Sequence, residues 1–247
     1  MLLLLSLKTY PQEPLKVVKL AGEITLDGVP DEEAWQKIQP LKLTMHSPVF
    51  RNEPTDSLVI KIAYDNNYFY VSGILNYKDS SLMRPIGKKR DYATPSCDWL
   101  GILLDNFNDK QNALGFFTNP NGLRTDATVK NDLLSQVDDI NFSWNTFWDV
   151  KTIADKSKWS AEFRIPFSSL RFQVEEGKTK MGLIIWCYFA AKPEIDTYPP
   201  VRPDFPYAFW KPSLASTIIF EGLKPRKPVY LTPYITSVVE TACFRQE

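Results

Sequence analysis

The chain has 247 residues with 29 Lys+Arg and 29 Asp+Glu, a formal net charge of zero, and is 44% hydrophobic and 23% charged. That composition excludes a disordered chain, and a neutral balance without a long basic run excludes a nucleic-acid footprint. No apolar run approaches the roughly 18 residues of a membrane-spanning helix.

The N-terminal run Met1-Leu2-Leu3-Leu4-Leu5-Ser6-Leu7 reads either as the remnant of a secretory leader or as a hydrophobic strand, and residues 10–14 as an extended tail. Asp27-Gly28-Val29-Pro30-Asp31-Glu32-Glu33-Ala34-Trp35 predicts a turn and then a short helix. Pro30 suits the helix start, the acidic run suits the positive end of its dipole, and Trp35 is expected to anchor inward. Beyond it the chain is almost all strand. Residues 57–75 form two β-rich runs around Asp65-Asn66-Asn67, a hairpin signal, with Ile60, Ile62 and Tyr64 on one face.

Residues 98–107 are apolar on both faces, as in a central strand covered on both sides. Asn119-Pro120-Asn121-Gly122 turns between strands at 114–118 and 123–129, and Ala154-Asp155-Lys156-Ser157 between strands at 148–153 and 158–165. In the last of these Trp159, Ala161, Phe163 and Ile165 alternate with Ser160, Glu162 and Arg164, so one face is buried. Further strands are expected at 181–190 and 216–220. The proline- and aromatic-rich stretch 192–212 reads as one long ordered loop, and loops of that length are often functional. The fold class is all-β: a two-sheet antiparallel β-sandwich of jelly-roll type with a short N-terminal helix.

Cysteine and histidine usage removes several chemistries. Cys97, Cys187 and Cys243 form no CxxC, which excludes zinc ribbons and thioredoxin-like redox; whether Cys97 and Cys187 bridge is open. The only histidine, His46, stands in Met45-His46-Ser47-Pro48 with no nucleophile motif beside it.

Four blocks together resemble the family 9 carbohydrate-binding-module-like domain, in the variant at the N-terminus of large bacterial outer-membrane proteins. They are 27–35; 98–105 with Asn119-Pro120-Asn121-Gly122 and Asp126; 144–148; and Trp159-Ser160-Ala161-Glu162-Phe163-Arg164-Ile165-Pro166-Phe167 running on to Phe172. The resemblance covers roughly 15–223. It implies a jelly-roll sandwich, with 1–14 as a tail or leader remnant and 224–247 as a linker and the start of a truncated β-barrel. It also implies a bacterial periplasmic, outer-membrane or secreted location. An oligo- or polysaccharide becomes the expected partner, with an outer-membrane β-barrel as a second one. In such modules two aromatic side chains clamp a sugar, polar side chains bond its hydroxyls, and calcium can be structural.

A sugar offers an apolar C–H face and a rim of hydroxyls, so its site needs a flat aromatic surface and a few planar polar groups. Trp144 and Trp148 are the candidate aromatics, with plugging of the sandwich edge as the alternative. Trp210, beside Phe209 and Tyr207 in the proline-rich stretch, is a further candidate. Trp35, Trp99, Trp159 and Trp186 are expected in the core. Arg90, Asp91, Asn119, Arg124 and Asp126 are the candidate polar partners, or else an Arg–Asp network locking the sheet. Asp105, Asn108 and Asp109 could supply half a Ca²⁺ shell, or form an ordinary Asx-rich turn. No carboxylate pair suggests a glycosidase, and Glu162, on an alternating strand next to Arg164, is expected in a cross-strand ion pair. Two other readings stay open: a structural or gating domain on a barrel mouth, and a haem-binding sandwich using Met45 and His46.

Overall fold

A computed structural model describes residues 13–87 and 94–224. The expectations for residues 1–12, for Arg90 and Asp91, and for 225–247 lie outside the described residues. The strands in chain order are β1 (Leu15–Lys16), β2 (Val18–Lys19), β3 (Thr44–Ser47), β4 (Ser57–Tyr64), β5 (Tyr68–Asn76), β6 (Trp99–Asp105) and β7 (Ala113–Thr118). They continue with β8 (Thr125–Val129), β9 (Ile140–Asn141), β10 (Asp149–Ala154), β11 (Lys158–Pro166), β12 (Lys178–Phe189), β13 (Glu194–Tyr198) and β14 (Ser216–Glu221). A single α-helix turn, α1 (Glu33–Gln36), lies between β2 and β3.

The strands make two sheets. A nine-stranded sheet runs β1-β14-β12-β6-β7-β8-β9, with β13 added beside β12 and β3 beside β13; a five-stranded sheet runs β10-β11-β5-β4-β2. All pairings are antiparallel except two. β1 runs parallel to β14 and β2 parallel to β4, so the short stretch Leu15–Lys19 closes one edge of each sheet. The sandwich expected from the sequence is the observed fold.

Turn chemistry explains the hairpins. Between β4 and β5 the Asp65 carboxylate accepts from the backbone N–H groups of Asn67 and Tyr68, each at 2.6 Å. Between β10 and β11, Asp155 does the same for Ser157 and Lys158. Strand periodicity then sorts side chains between layers. Ile60, Ile62 and Tyr64, with Trp159, Ala161, Phe163 and Ile165, face Leu100, Ile102, Leu104, Phe116 and Ile185 across the sandwich. Trp35 anchors a small cluster under α1 with Ile38, Ala63 and Tyr70, as expected.

One stretch departs from the sequence reading. Within the expected long loop 192–212, Glu194–Tyr198 is a strand, registered against β12 on one side and β3 on the other. The prolines flank this segment and leave its own backbone free to join the ladder. The rest of the stretch, 199–215, folds over the outer face of the nine-stranded sheet and roofs a second apolar cluster there. Both faces of β6 are therefore buried, which is why its sequence is apolar throughout.

Candidate functional site: an aromatic concavity on the nine-stranded sheet

Trp144, Trp148, Arg124 and Asp126 do come together, around Phe116 and the 144–148 stretch, with the Arg124 guanidinium 5.9 Å from the Trp148 ring, but as a packed cluster. Trp148 is only 2% exposed, and its ring stacks on Phe163 at 5.8 Å with the planes 6° apart, inside the sandwich. Trp144 is half-buried, its ring edge-on to Phe116 at 6.1 Å. The two tryptophans are not on a strand and offer no paired ring faces to solvent, so the expected two-tryptophan clamp is absent.

The polar candidates are mostly structural. Asn119 is buried; its amide donates to the carbonyl of Ile86 and to Cys97 Sγ, while its oxygen accepts from the backbone of Asn121 and Leu123, locking the 119–122 turn. Asp126 is buried and accepts from the Thr146 backbone N–H at 2.8 Å. Arg124 donates to the Trp148 carbonyl at 2.6 Å and lies 3.8 Å from Asp149, in a shallow cleft of about 500 Å³ shared with Lys151 and Arg164.

The Asp105–Asp109 turn has backbone donors where a cation would sit. Asp105 accepts from the N–H groups of Asp109 and Lys110, and Asp109 from those of Gln111 and Asn112. Asp105 and Asp109 are thus engaged by the turn's own backbone, as in an Asx-rich turn, while Asn108 Oδ1 is buried without a partner among the described residues. Among the described residues no group of three His, Cys, Asp or Glu side chains could hold a metal. Met45 lies opposite Asp196, facing into the sandwich, while His46 lines the outer concavity, so the two cannot ligate one haem. Cys97 and Cys187 are both free and buried.

Trp210 is the exception. It lies in a concavity of about 840 Å³ between the outer face of the nine-stranded sheet and the stretch 199–215. The floor is built from three neighbouring strands. On their outward faces β6 carries Trp99 and Gly101, β7 carries Gly115 and Phe117, and β12 carries Trp186 and Tyr188. The two glycines make the platform possible. A β-carbon at Gly101 would sit 2.1 Å from the Trp186 ring, and one at Gly115 would sit 3.0 Å from Trp210. With no side chain there, both indoles lie down on the backbone of adjacent strands.

The rings then brace one another. Trp99 and Trp210 stand edge-on to Phe117 at 5.3 and 5.5 Å, and Trp186 leans on Phe209 at 5.4 Å. Phe142 (38% exposed), Phe205 and Tyr207 (each 47% exposed) form an open aromatic rim. Asp132 clamps the roof by accepting from Lys211 and from both the backbone N–H and hydroxyl of Ser213.

Polar groups are few. Trp99 donates its indole N–H to Thr94 O, and Tyr188 its hydroxyl to Pro95 O, which pins the 94–95 stretch to the wall. His46 Nδ1 lies 2.6 Å from Val201 O, and because a carbonyl only accepts, Nδ1 holds the proton and Nε2 is left as an acceptor. Burial lowers the His46 pKa despite that bond, so the ring is neutral near pH 7. Asp204, paired with Arg202 at 3.3 Å, is the sole charged side chain among the described lining residues.

Trp99 and Trp186 are buried as expected, but in a second cluster on the outer side of the nine-stranded sheet, together with Phe117 and beside Phe142. The available signal was the alternation of aromatic and glycine on central strands, Trp99-x-Gly101 and Gly115-x-Phe117. It marks a face where rings lie on backbone.

Beneath the platform lies an unusual buried acid. Asp196 on β13 faces inward opposite Cys187 and Met45, and both its oxygens lack a hydrogen-bond partner among the described residues. Glu194 beside it is bonded by Thr55, and Lys192 is held 2.7 Å from Asp56 and 3.4 Å from Glu194. Burial first, and the Glu194 charge second, push the Asp196 carboxyl up to about 8. The folded state keeps a proton that the unfolded chain releases above about pH 4. Stability should therefore fall as pH rises from there through about 8, by a few kcal/mol (an order-of-magnitude figure) in total. Asp196→Asn should flatten that fall and exceed the wild type in urea midpoint at pH 9. Equal wild-type midpoints at pH 5 and pH 9 would show that Asp196 is ionised in the folded state.

No family model matches the chain, and no curated protein matches it. Solved structures do. A family 9 carbohydrate-binding module from Caldicellulosiruptor kristjanssonii in complex with cellotriose aligns with TM-score 0.55 at 18% identity, over 90% of this chain and 100% of that one. A family 9 module from the same organism in complex with glucose aligns with TM-score 0.55 at 17% identity, over 88% and 99%. A candidate carbohydrate-binding protein from Bacteroides uniformis aligns with TM-score 0.60 at 15% identity, over 84% and 99%. At these identities the agreement is one of architecture, and on that ground the chain is a β-sandwich with the fold of the family 9 carbohydrate-binding modules.

Proposed function

We propose that the chain binds carbohydrate, and that the aromatic concavity is where it does so. The observation that carries this is the concavity's open aromatic rim, Phe142 (38% exposed), Phe205 and Tyr207, set over a closely packed floor of Trp99, Phe117, Trp186 and Trp210 that is itself only 2–5% exposed and roofed by 199–215. A pyranose set against the rim rings at the mouth removes its C–H face from water, while Nε2 of His46, the Tyr207 hydroxyl, Asp204 and Thr94 are groups of the same concavity able to meet hydroxyls. The shared fold with modules bound to cellotriose and glucose supports the reading.

Titration calorimetry against a panel of soluble oligosaccharides, cellotriose and glucose included, tests it. Heat is expected from at least one sugar; a folded protein that gives none with any member overturns the proposal. Tyr207 is half out of the surface, so Tyr207→Ala leaves the core untouched and should weaken binding about fivefold to tenfold, roughly 1 kcal/mol of lost stacking. An unchanged Kd in that variant would move the sugar away from this rim.

A further inference from the structure

The described lining is mostly apolar, its polar groups being His46, Thr94, Asp204, the Tyr188 and Tyr207 hydroxyls and the indole N–H groups. Its floor is Trp99, Phe117, Trp186 and Trp210, and among the described residues no Lys, Arg, Asn, Gln or Glu reaches it. The hydroxyl of Tyr188 and the indole N–H of Trp99 are already bonded to backbone carbonyls. A pyranose carries hydroxyls around its whole edge, and each one buried without a partner weakens binding roughly tenfold or more. The polar groups stand apart: Asp204, His46 and Thr94 lie among the lining of the walls and roof. The volume also exceeds the need, since about 840 Å³ is of the size that takes a drug-sized ligand, several times a single ring.

From this division we infer that the ligand is an aryl glycoside: an aromatic ring seated on the indole floor, joined to a sugar held at the mouth. The inference rests on the carbohydrate reading above and narrows its ligand class. An aromatic ring is favoured over a flexible alkyl chain by the floor itself. Trp186 is tilted 42° to Trp210 and 48° to Phe117, a fixed nest of ring faces and edges. A rigid planar group meets such a nest with offset or edge contacts and loses little rotamer freedom.

Calorimetry with methyl β-glucoside, phenyl β-glucoside, cellotriose and phenol separates the claims. Phenyl β-glucoside is expected to bind at least tenfold tighter than methyl β-glucoside and than phenol. Phe142 is 38% exposed with its ring 6.3 Å from Trp210, so Phe142→Ser should leave the fold intact and shrink the phenyl-over-methyl preference. Methyl β-glucoside or cellotriose binding as tightly as phenyl β-glucoside overturns the aryl inference and leaves carbohydrate binding standing. Phenol binding as tightly as phenyl β-glucoside overturns the sugar and keeps the aromatic seat. Failure of all four with folded protein removes both.

Discussion

Glu162→Ala should lower the stability of the sandwich by about 4 kcal/mol, among the largest single-residue losses expected here. Glu162 is buried on the outer face of β11, and among the described residues no cation lies within salt-bridge distance of it, although Lys151 is registered opposite on β10. Its Oε2 accepts from the backbone N–H groups of Asp27 and Gly28 at 3.2 and 2.9 Å, and its Oε1 from the Trp35 indole N–H at 3.0 Å. One residue away, Ser160 donates to the Gly28 carbonyl at 2.6 Å. Removing the carboxylate leaves two buried donors, Gly28 N–H and the Trp35 indole, and one part-buried donor, Asp27 N–H, without acceptors, each buried one costing roughly 1–3 kcal/mol, and loosens α1 from the five-stranded sheet. Burial raises the Glu162 pKa, while these same donors pull it back toward the charged form. Glu162→Gln should cost less than alanine and still destabilise, because one end of the amide must point N–H groups at N–H groups. Urea denaturation decides it; a midpoint within error of the wild type for the alanine variant would mean the N-terminal stretch is not held by this residue. The bonds also replace the expected cross-strand ion pair of Glu162, and Arg164 instead binds Asp149 at 2.8 Å.

Gly101→Ala should abolish measurable ligand binding while costing about 1–3 kcal/mol of stability, the usual range for overpacking. The added β-carbon would meet three atoms of the Trp186 ring at 2.1 to 2.6 Å. The indole is rigid and hemmed by Phe117, Phe209 and Trp210, so it must tip up into the space the ligand would use. Gly115→Ala, with its nearest contact at 3.0 Å from Trp210, should be milder in both respects. The ordering is the test. Calorimetric binding that survives Gly101→Ala in a folded protein would place the ligand away from the Trp186 platform.

The hairpins were legible because their turns are local. Asp65-Asn66-Asn67 and the Asp155 turn satisfy their own backbone donors, and alternation along β11 named its buried face correctly. The strand β13 was hidden because Glu194 and Asp196 face inward, which reads as a polar loop when the Glu194 partner Thr55 lies 139 residues away in sequence. The site was hidden for a different reason. A strand buried on both faces gives no polar alternation to separate its two sides. Trp186 on the ligand side and Ile185 on the core side therefore look alike in the sequence. Trp186 is buried as expected, but in the outer cluster under 199–215, while Trp148 is buried inside the sandwich.

The parallel pairing of β1 with β14 sets a timetable for synthesis. Leu15 is registered with Ile218, about two hundred residues later in the chain. As the polypeptide leaves the ribosome, its first strand has no neighbour on the nine-stranded side until almost everything else has been made. The nine-stranded layer thus closes over Leu15–Lys16 only when Ser216–Glu221 has been made, whereas Val18–Lys19 can pair as soon as Ser57–Tyr64 exists, so a nascent chain caught between the two carries an unclosed seam in one layer.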